Sequence, residues 1–145
     1  MKMTRLASTA VLFLSTAVAW AVPPVFSTNE GAIRGYDPVA YVKQQQPVKG
    51  DRNYTVRWNG ADWYFASAAN RDAFKADPER YAPQYGGYCA YGVAQGYAPP
   101  TDPSAFRVVD GKLYLNLSPY VAKKWDEDIQ GNVRDANKNW PSLVD

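Results

Sequence analysis

From residue 36 onward the apolar positions fall into short blocks divided by Asp-Pro, Asn-Gly, Asp-Gly and Ser-Pro pairs, the punctuation of a chain that mixes strands with short helices. Asp37-Pro38 sets a capping carboxylate before a proline suited to the first helical position. This predicts a short helix over residues 39–42, ended by Gln44-Gln45-Gln46-Pro47. Tyr54, Val56 and Trp58 alternate with Thr55 and Arg57, Asn59-Gly60 follows, and Trp63-Tyr64-Phe65 resumes the apolar run, so a hairpin is expected. Ser67 then caps a helix over residues 68–76 that turns Ala69, Ala73 and Phe74 toward the sheet, and Asp77-Pro78 opens a short helical turn through Tyr81.

The next segment, Tyr85-Gly86-Gly87-Tyr88-Cys89-Ala90-Tyr91-Gly92, has no clear period, and its paired glycines suit a turn with positive φ. A second hairpin is expected from residues 106–109, an Asp110-Gly111 turn and residues 112–117, with Leu113, Leu115 and Leu117 on one face. Ser118-Pro119 begins a helix whose stripe is Tyr120, Val121, Trp125 and Ile129, and residues 132–140 form a last helix before Pro141. The expected fold is α+β: a small antiparallel sheet built from two hairpins, with short helices packed on it. No internal repeat is read, because the two Asp-Pro starts share capping chemistry only.

Ahead of this domain, Lys2 and Arg5 precede an apolar run from Leu6 to Trp20 that reaches Ala19-Trp20-Ala21, a secretory signal pattern with its cut after Ala21 or, by way of Ala17-x-Ala19, two residues earlier. The run is short for a spanning helix and Pro23-Pro24 follow at once, so no stable membrane anchor is expected. Without an Arg-Arg pair or a cysteine near the cut, the product is expected to be a soluble exported protein, periplasmic in a Gram-negative cell. The expected divisions are 1–21 as signal peptide, 22–34 as an extended lead-in, 35–141 as the folded domain and 142–145 as a tail.

The 145 residues suit one domain, and the formal charge of +2 disappears with Lys2 and Arg5, which leaves fourteen basic against fourteen acidic residues. A neutral protein lacks the positive field that nucleic-acid binding requires, so no nucleic-acid partner is expected. The chain has no histidine, its two methionines are Met1 and Met3, and its one cysteine is Cys89. A lone cysteine forms no internal disulfide, and a soft-metal cage from one chain lacks ligands, so such an ion would need two or more chains, as in a homodimer, or an unusual set of carboxylate and Tyr ligands. Imidazole-assisted nucleophiles are excluded outright, which removes the commonest hydrolase chemistry and favours a protein that is not an enzyme.

Cys89 is the sharpest candidate: its thiol could hold a metal, form a mixed disulfide, sense oxidants, or sit inert in the core. With no basic residue nearer in sequence than Arg80 and Arg107, the inert reading is preferred. The aromatic residues could line a pocket for a planar or sugar ligand, but strand and helix spacing assigns most of them to the core. Asp126-Glu127-Asp128 reads as a solvated helix face rather than a cation site.

In order, Gly35-Tyr36-Asp37-Pro38-Val39-Ala40-Tyr41, Trp63-Tyr64-Phe65-Ala66-Ser67, Asn70-Arg71-x-x-Phe74, Asp77-Pro78-Glu79-Arg80-Tyr81 and Gly86-Gly87-Tyr88-Cys89-Ala90-Tyr91 form one linked pattern from about Gly35 to Trp140. The pattern resembles the exported YHS-domain proteins. The resemblance implies a small α+β module related to treble-clef-like metal-sensing domains, often associated with copper or other heavy-metal handling. Here Tyr41 is followed by Val42 and Lys43 instead of His and Ser, and only Cys89 stands for the paired cysteines of metal-binding relatives. The expected function is a non-enzymatic binding module for a small ligand or a periplasmic protein, with Tyr36, Asp37, Tyr41, Tyr88, Cys89 and Tyr91 as ligand-binding candidates. The alternatives are a copper or heavy-metal protein using Cys89 across a homodimer, and a thiol redox protein acting through an intermolecular disulfide.

Overall fold

Two hairpins of one register organise the chain. A computed structural model describes residues 1–13 and 20–145, so the expected cut sites, which draw on residues 14–19, lie partly outside the described residues. The first half contains β1 (Ser27–Thr28), β2 (Gly31–Ala32), a 3-10 turn (Ile33–Gly35), α1 (Pro38–Gln44), β3 (Asp51–Trp58), β4 (Ala61–Phe65), α2 (Ala68–Ala76) and α3 (Pro78–Tyr81). The second contains a 3-10 turn (Gln84–Gly87), α4 (Ala90–Ala94), β5 (Asp102–Val109), β6 (Lys112–Asn116), α5 (Pro119–Asp126) and α6 (Ile129–Leu143). The fold is α+β, as expected, and the strands pair as three separate antiparallel sheets, β1-β2, β3-β4 and β5-β6.

The absence of an internal repeat is overturned. Every pairing of β3 with β4 recurs in β5 with β6 at an offset of 51 residues: Trp58↔Ala61 becomes Val109↔Lys112, and Asp51↔Phe65 becomes Asp102↔Asn116, with the same register shift after Asp51 and after Asp102. Both tips are two-residue turns with positive φ at each position, Asn59 and Gly60 in one, Asp110 and Gly111 in the other, which matches the twist of paired strands. Ser67 Oγ accepts the Asn70 N–H and Ser118 Oγ accepts the Val121 N–H, so the following helices are capped alike. Packing repeats too: the Trp63 and Phe74 rings are 5.2 Å apart, and their counterparts Tyr114 and Trp125 are 5.1 Å apart. The repeat escapes a sequence reading because core partners are exchanged for others of similar shape, a change that packing tolerates.

Burial corrects several further expectations. The lead-in is packed: Val25, Phe26, Ala32 and Ile33 are buried, and the Phe26 N–H donates to the Gly86 carbonyl at 2.8 Å. That approach depends on glycine, because a Cβ at Gly86, whose φ is +61°, would strike the Pro24 carbonyl oxygen. The tail is held as well, since Val22 pairs with Val144 and its N–H donates to the Leu143 carbonyl at 2.9 Å. Pro141 lies inside α6 rather than after it; in the last turn a proline forfeits only one backbone bond, and half-buried Trp140 and Leu143 hold the helix to the core.

Ile129 starts α6 instead of finishing the α5 stripe, because Asp128 caps a new helix through the Gly131 N–H at 3.0 Å. Tyr120 is exposed rather than part of that stripe. On α2 the buried positions are Asn70 and Phe74, while Ala69 faces solvent. Leu117, past the end of β6, is 45 % exposed, whereas β6 buries Tyr114 and Asn116 on its other face along with Leu113 and Leu115. One core gathers Tyr41, Trp63, Phe65, Phe74, Leu113 and Leu115, and the other gathers Tyr88, Val93, Tyr114, Trp125 and Ala136.

Candidate functional site

Asp37 is fully buried at the start of α1. Its Oδ1 accepts the Val39 and Ala40 N–H groups at 2.8 and 3.2 Å, and its Oδ2 accepts the Ala66 N–H at 2.9 Å and an Asn70 Nδ2 hydrogen at 2.8 Å. Four donors satisfy a carboxylate that would otherwise be costly to bury, and they tie α1 to the end of β4 and to α2. Asp37 is thereby a structural clasp with no oxygen turned to a ligand.

Cys89 holds the same place in the second unit. Its Sγ accepts the Gly92 N–H at 3.4 Å and the Leu117 N–H at 3.2 Å, the counterparts of Ala40 and Ala66. The remaining donor, the Tyr91 N–H, goes to Asn116 Oδ1 at 3.0 Å, and the thiol itself points at that oxygen, 3.7 Å away. Cys89 is 1 % exposed, and burial pushes its pKa up against the opposing pull of the backbone N–H groups of Gly92, Leu117 and Tyr91. A protonated, enclosed thiol is a poor nucleophile and a poor ligand.

The tyrosine candidates are dispersed. Tyr41 is buried against Phe106 and donates its OH to the Pro103 carbonyl at 2.7 Å, so its hydroxyl pKa is raised by burial first and by Tyr36 and Asp102 after it. Tyr88 donates to the Pro23 carbonyl at 3.0 Å, and its pKa is raised by burial. Tyr36 is half-buried under the Lys49 ammonium, and Tyr91 contributes its backbone N–H to Asn116. None of these six residues lines the clefts described next.

The donor set does not fit a soft metal. Among the described residues no three His, Cys, Asp or Glu side chains come together, and the groups around Cys89 Sγ are backbone N–H donors and one amide oxygen.

An open concave surface lies where the β3-β4 tip and α3 meet α6. A cleft of about 540 Å³ is walled by Trp58, Tyr85 and Trp140, with Glu79, Gln84, Lys112 and Asn137 as its polar side chains. A second of about 310 Å³ shares Trp58, Ala82, Pro83 and Trp140 with it, and the Trp140 ring packs on Tyr85 and Tyr88 at 6.2 and 5.8 Å. Tyr85 is fixed by donating its OH to Asn137 Oδ1 at 2.9 Å, and its pKa is raised by burial first and by Tyr114 second. Sequence reasoning assigned the aromatics to the core, but Trp58 and Trp140 are only half-buried. Eighty-two positions separate them, and no local spacing signals that they meet.

No helix among the described residues is long and apolar enough to cross a membrane. Comparison with curated proteins and with solved structures finds no match. A family model does match, from the second residue of α1 into the second 3-10 turn, and therefore over the first of the two units. On that match, the chain carries a YHS domain at residues 39–85.

Proposed function

We propose that the protein is an exported, non-enzymatic binding module whose ligand seat is the aromatic cleft between Trp58 and Trp140. The observation that carries the reading is the cleft itself: about 540 Å³, two indoles and a phenol for apolar contact, and a carboxylate, an ammonium and two amides to orient a ligand. A planar small molecule with polar substituents suits that lining. Export is supported by the leader pattern and by Val22, just after the expected cut, being paired into the fold. The enclosed Cys89 weighs against both thiol-based readings, since a residue with 1 % exposure meets a partner chain only through local unfolding.

Native mass spectrometry of protein recovered from its own cell envelope tests the proposal. The expected result is a bound organic molecule that is lost in Trp58→Ala and weakened in the exposed rim variant Lys112→Glu, but kept in Tyr120→Ala. Protein recovered without any adduct, an adduct that survives both cleft variants, or turnover of a substrate that disappears in Cys89→Ser would overturn it.

A further inference from the structure

Two opposite charges line the Trp58–Trp140 cleft without neutralising each other. Glu79 on α3 and Lys112 at the start of β6 both border it, both are exposed, and among the described residues neither enters an ion pair. Asn137 Oδ1 accepts the Tyr85 OH at 2.9 Å, which leaves its Nδ2 as a second donor of the lining. Lys112 and that amide can serve a carboxylate, and Glu79 can serve an ammonium.

The duplication shows that the repeated frame does not require these groups. At the offset of 51 residues Trp58 corresponds to Val109, Glu79 to Gln130, and Lys112 to Ala61 of the first unit. With either set the hairpins keep one register and one kind of tip, and Asp77 and Asp128 stand at the start of the next helix. The indole, the carboxylate and the ammonium are therefore additions to that frame, and all three line one cleft.

We infer that this cleft takes a small zwitterion of the amino-acid type with an aromatic side chain, as the free amino acid or as a dipeptide. Its ammonium meets Glu79, its carboxylate meets Lys112 and Asn137 Nδ2, and its ring lies against Trp58 and Trp140. A volume of about 540 Å³ holds either molecule. A compound with a single charge gains one of the two polar contacts and forgoes the other. The inference rests on the reading of this cleft as a ligand seat and adds the ligand's charges to it.

Two-dimensional amide NMR of the full protein, titrated with L-phenylalanine and with glycyl-phenylalanine, tests the inference, and the tighter of the two names the ligand's source. Saturable shifts are expected at Trp58, Glu79, Lys112 and Trp140. N-acetyl-phenylalanine, which lacks the ammonium, and phenylalanine amide, which lacks the carboxylate, should each bind about fivefold more weakly than phenylalanine. Glu79→Gln should abolish the preference over the N-acetyl compound, and Lys112→Gln the preference over the amide; both positions are exposed, so the core is left intact. No shifts with either zwitterion at millimolar concentration, equal binding of a singly charged derivative to the unaltered protein, or preferences that survive both variants would each overturn the inference. Equal binding at this cleft would leave its reading as a ligand seat standing, whereas that reading fails by the absence of an adduct from the recovered protein.

Discussion

Asp37 and Cys89 occupy one position in two copies of the same unit and perform one task with different atoms. Asp37 collects four N–H donors on two carboxylate oxygens. In the second copy Cys89 Sγ takes two and Asn116 Oδ1 a third. The backbone around them repeats as well, with the Asp37 N–H donating to the Val48 carbonyl at 2.8 Å and the Cys89 N–H to the Pro99 carbonyl at 3.0 Å. The sulfur that stands out in the sequence is therefore the acceptor of a helix cap.

Asp37→Ala should cost about 3 kcal/mol or more, because it strands several buried donors at once. Urea denaturation measures the loss, and a change under about 1 kcal/mol would show that the clasp matters little.

Replacements at Cys89 should follow the surrounding groups. Cys89→Ser keeps an acceptor and a donor and should cost about 1 kcal/mol. Cys89→Asp should cost more, because its carboxylate would face Asn116 Oδ1. Pairing it with Asn116→Leu removes that oxygen, and with it an Nδ2 that has no partner, and rebuilds the first unit's arrangement. The double variant should be more stable than the sum of the singles by about 1 kcal/mol, read from a double-mutant cycle.

Stability should fall with rising pH on the alkaline side. Burial raises the pKa of Cys89 above its ordinary 9.0, so the folded chain keeps a proton that the unfolded chain releases. That contribution is complete below pH 9 and is lost as the pH climbs above it, with Tyr41, Tyr85, Tyr88 and Tyr114 adding losses of the same sign further up. Thermal melts between pH 7 and about 11 check this, and Cys89→Ser should flatten the first part of the decline. A disulfide reagent should meanwhile react with Cys89 only on unfolding.

Two glycines with similar φ should answer differently to alanine. Gly111, at φ +74° with open space around it, should lose about 1 kcal/mol from backbone strain alone. Gly86→Ala should lose several times more, since its methyl group meets the Pro24 carbonyl and displaces the segment that passes there. Hydrogen exchange at the Phe26 N–H, bonded to the Gly86 carbonyl, should accelerate in Gly86→Ala and stay unchanged in Gly111→Ala.

The features legible in the sequence are those set within a few residues of one another. The Asp37-Pro38 start, the Ser67 cap, the helix Ala68–Ala76 and the Asn59-Gly60 and Asp110-Gly111 tips all follow from bonds that close over two to four residues. The spacing of those signals carried the YHS resemblance as well. Tertiary structure alone decided which half-buried aromatics form a cleft, that Asn116 and not Leu117 faces inward, that residues 22–26 and 143–145 are bound to the domain, and that two stretches with few identical residues are copies of one unit. Each of these depends on groups dozens of residues apart, such as Val22 and Val144 or Trp58 and Trp140. Such pairs are selected by shape and volume in the packed interior, and neither property leaves a periodic trace along the chain.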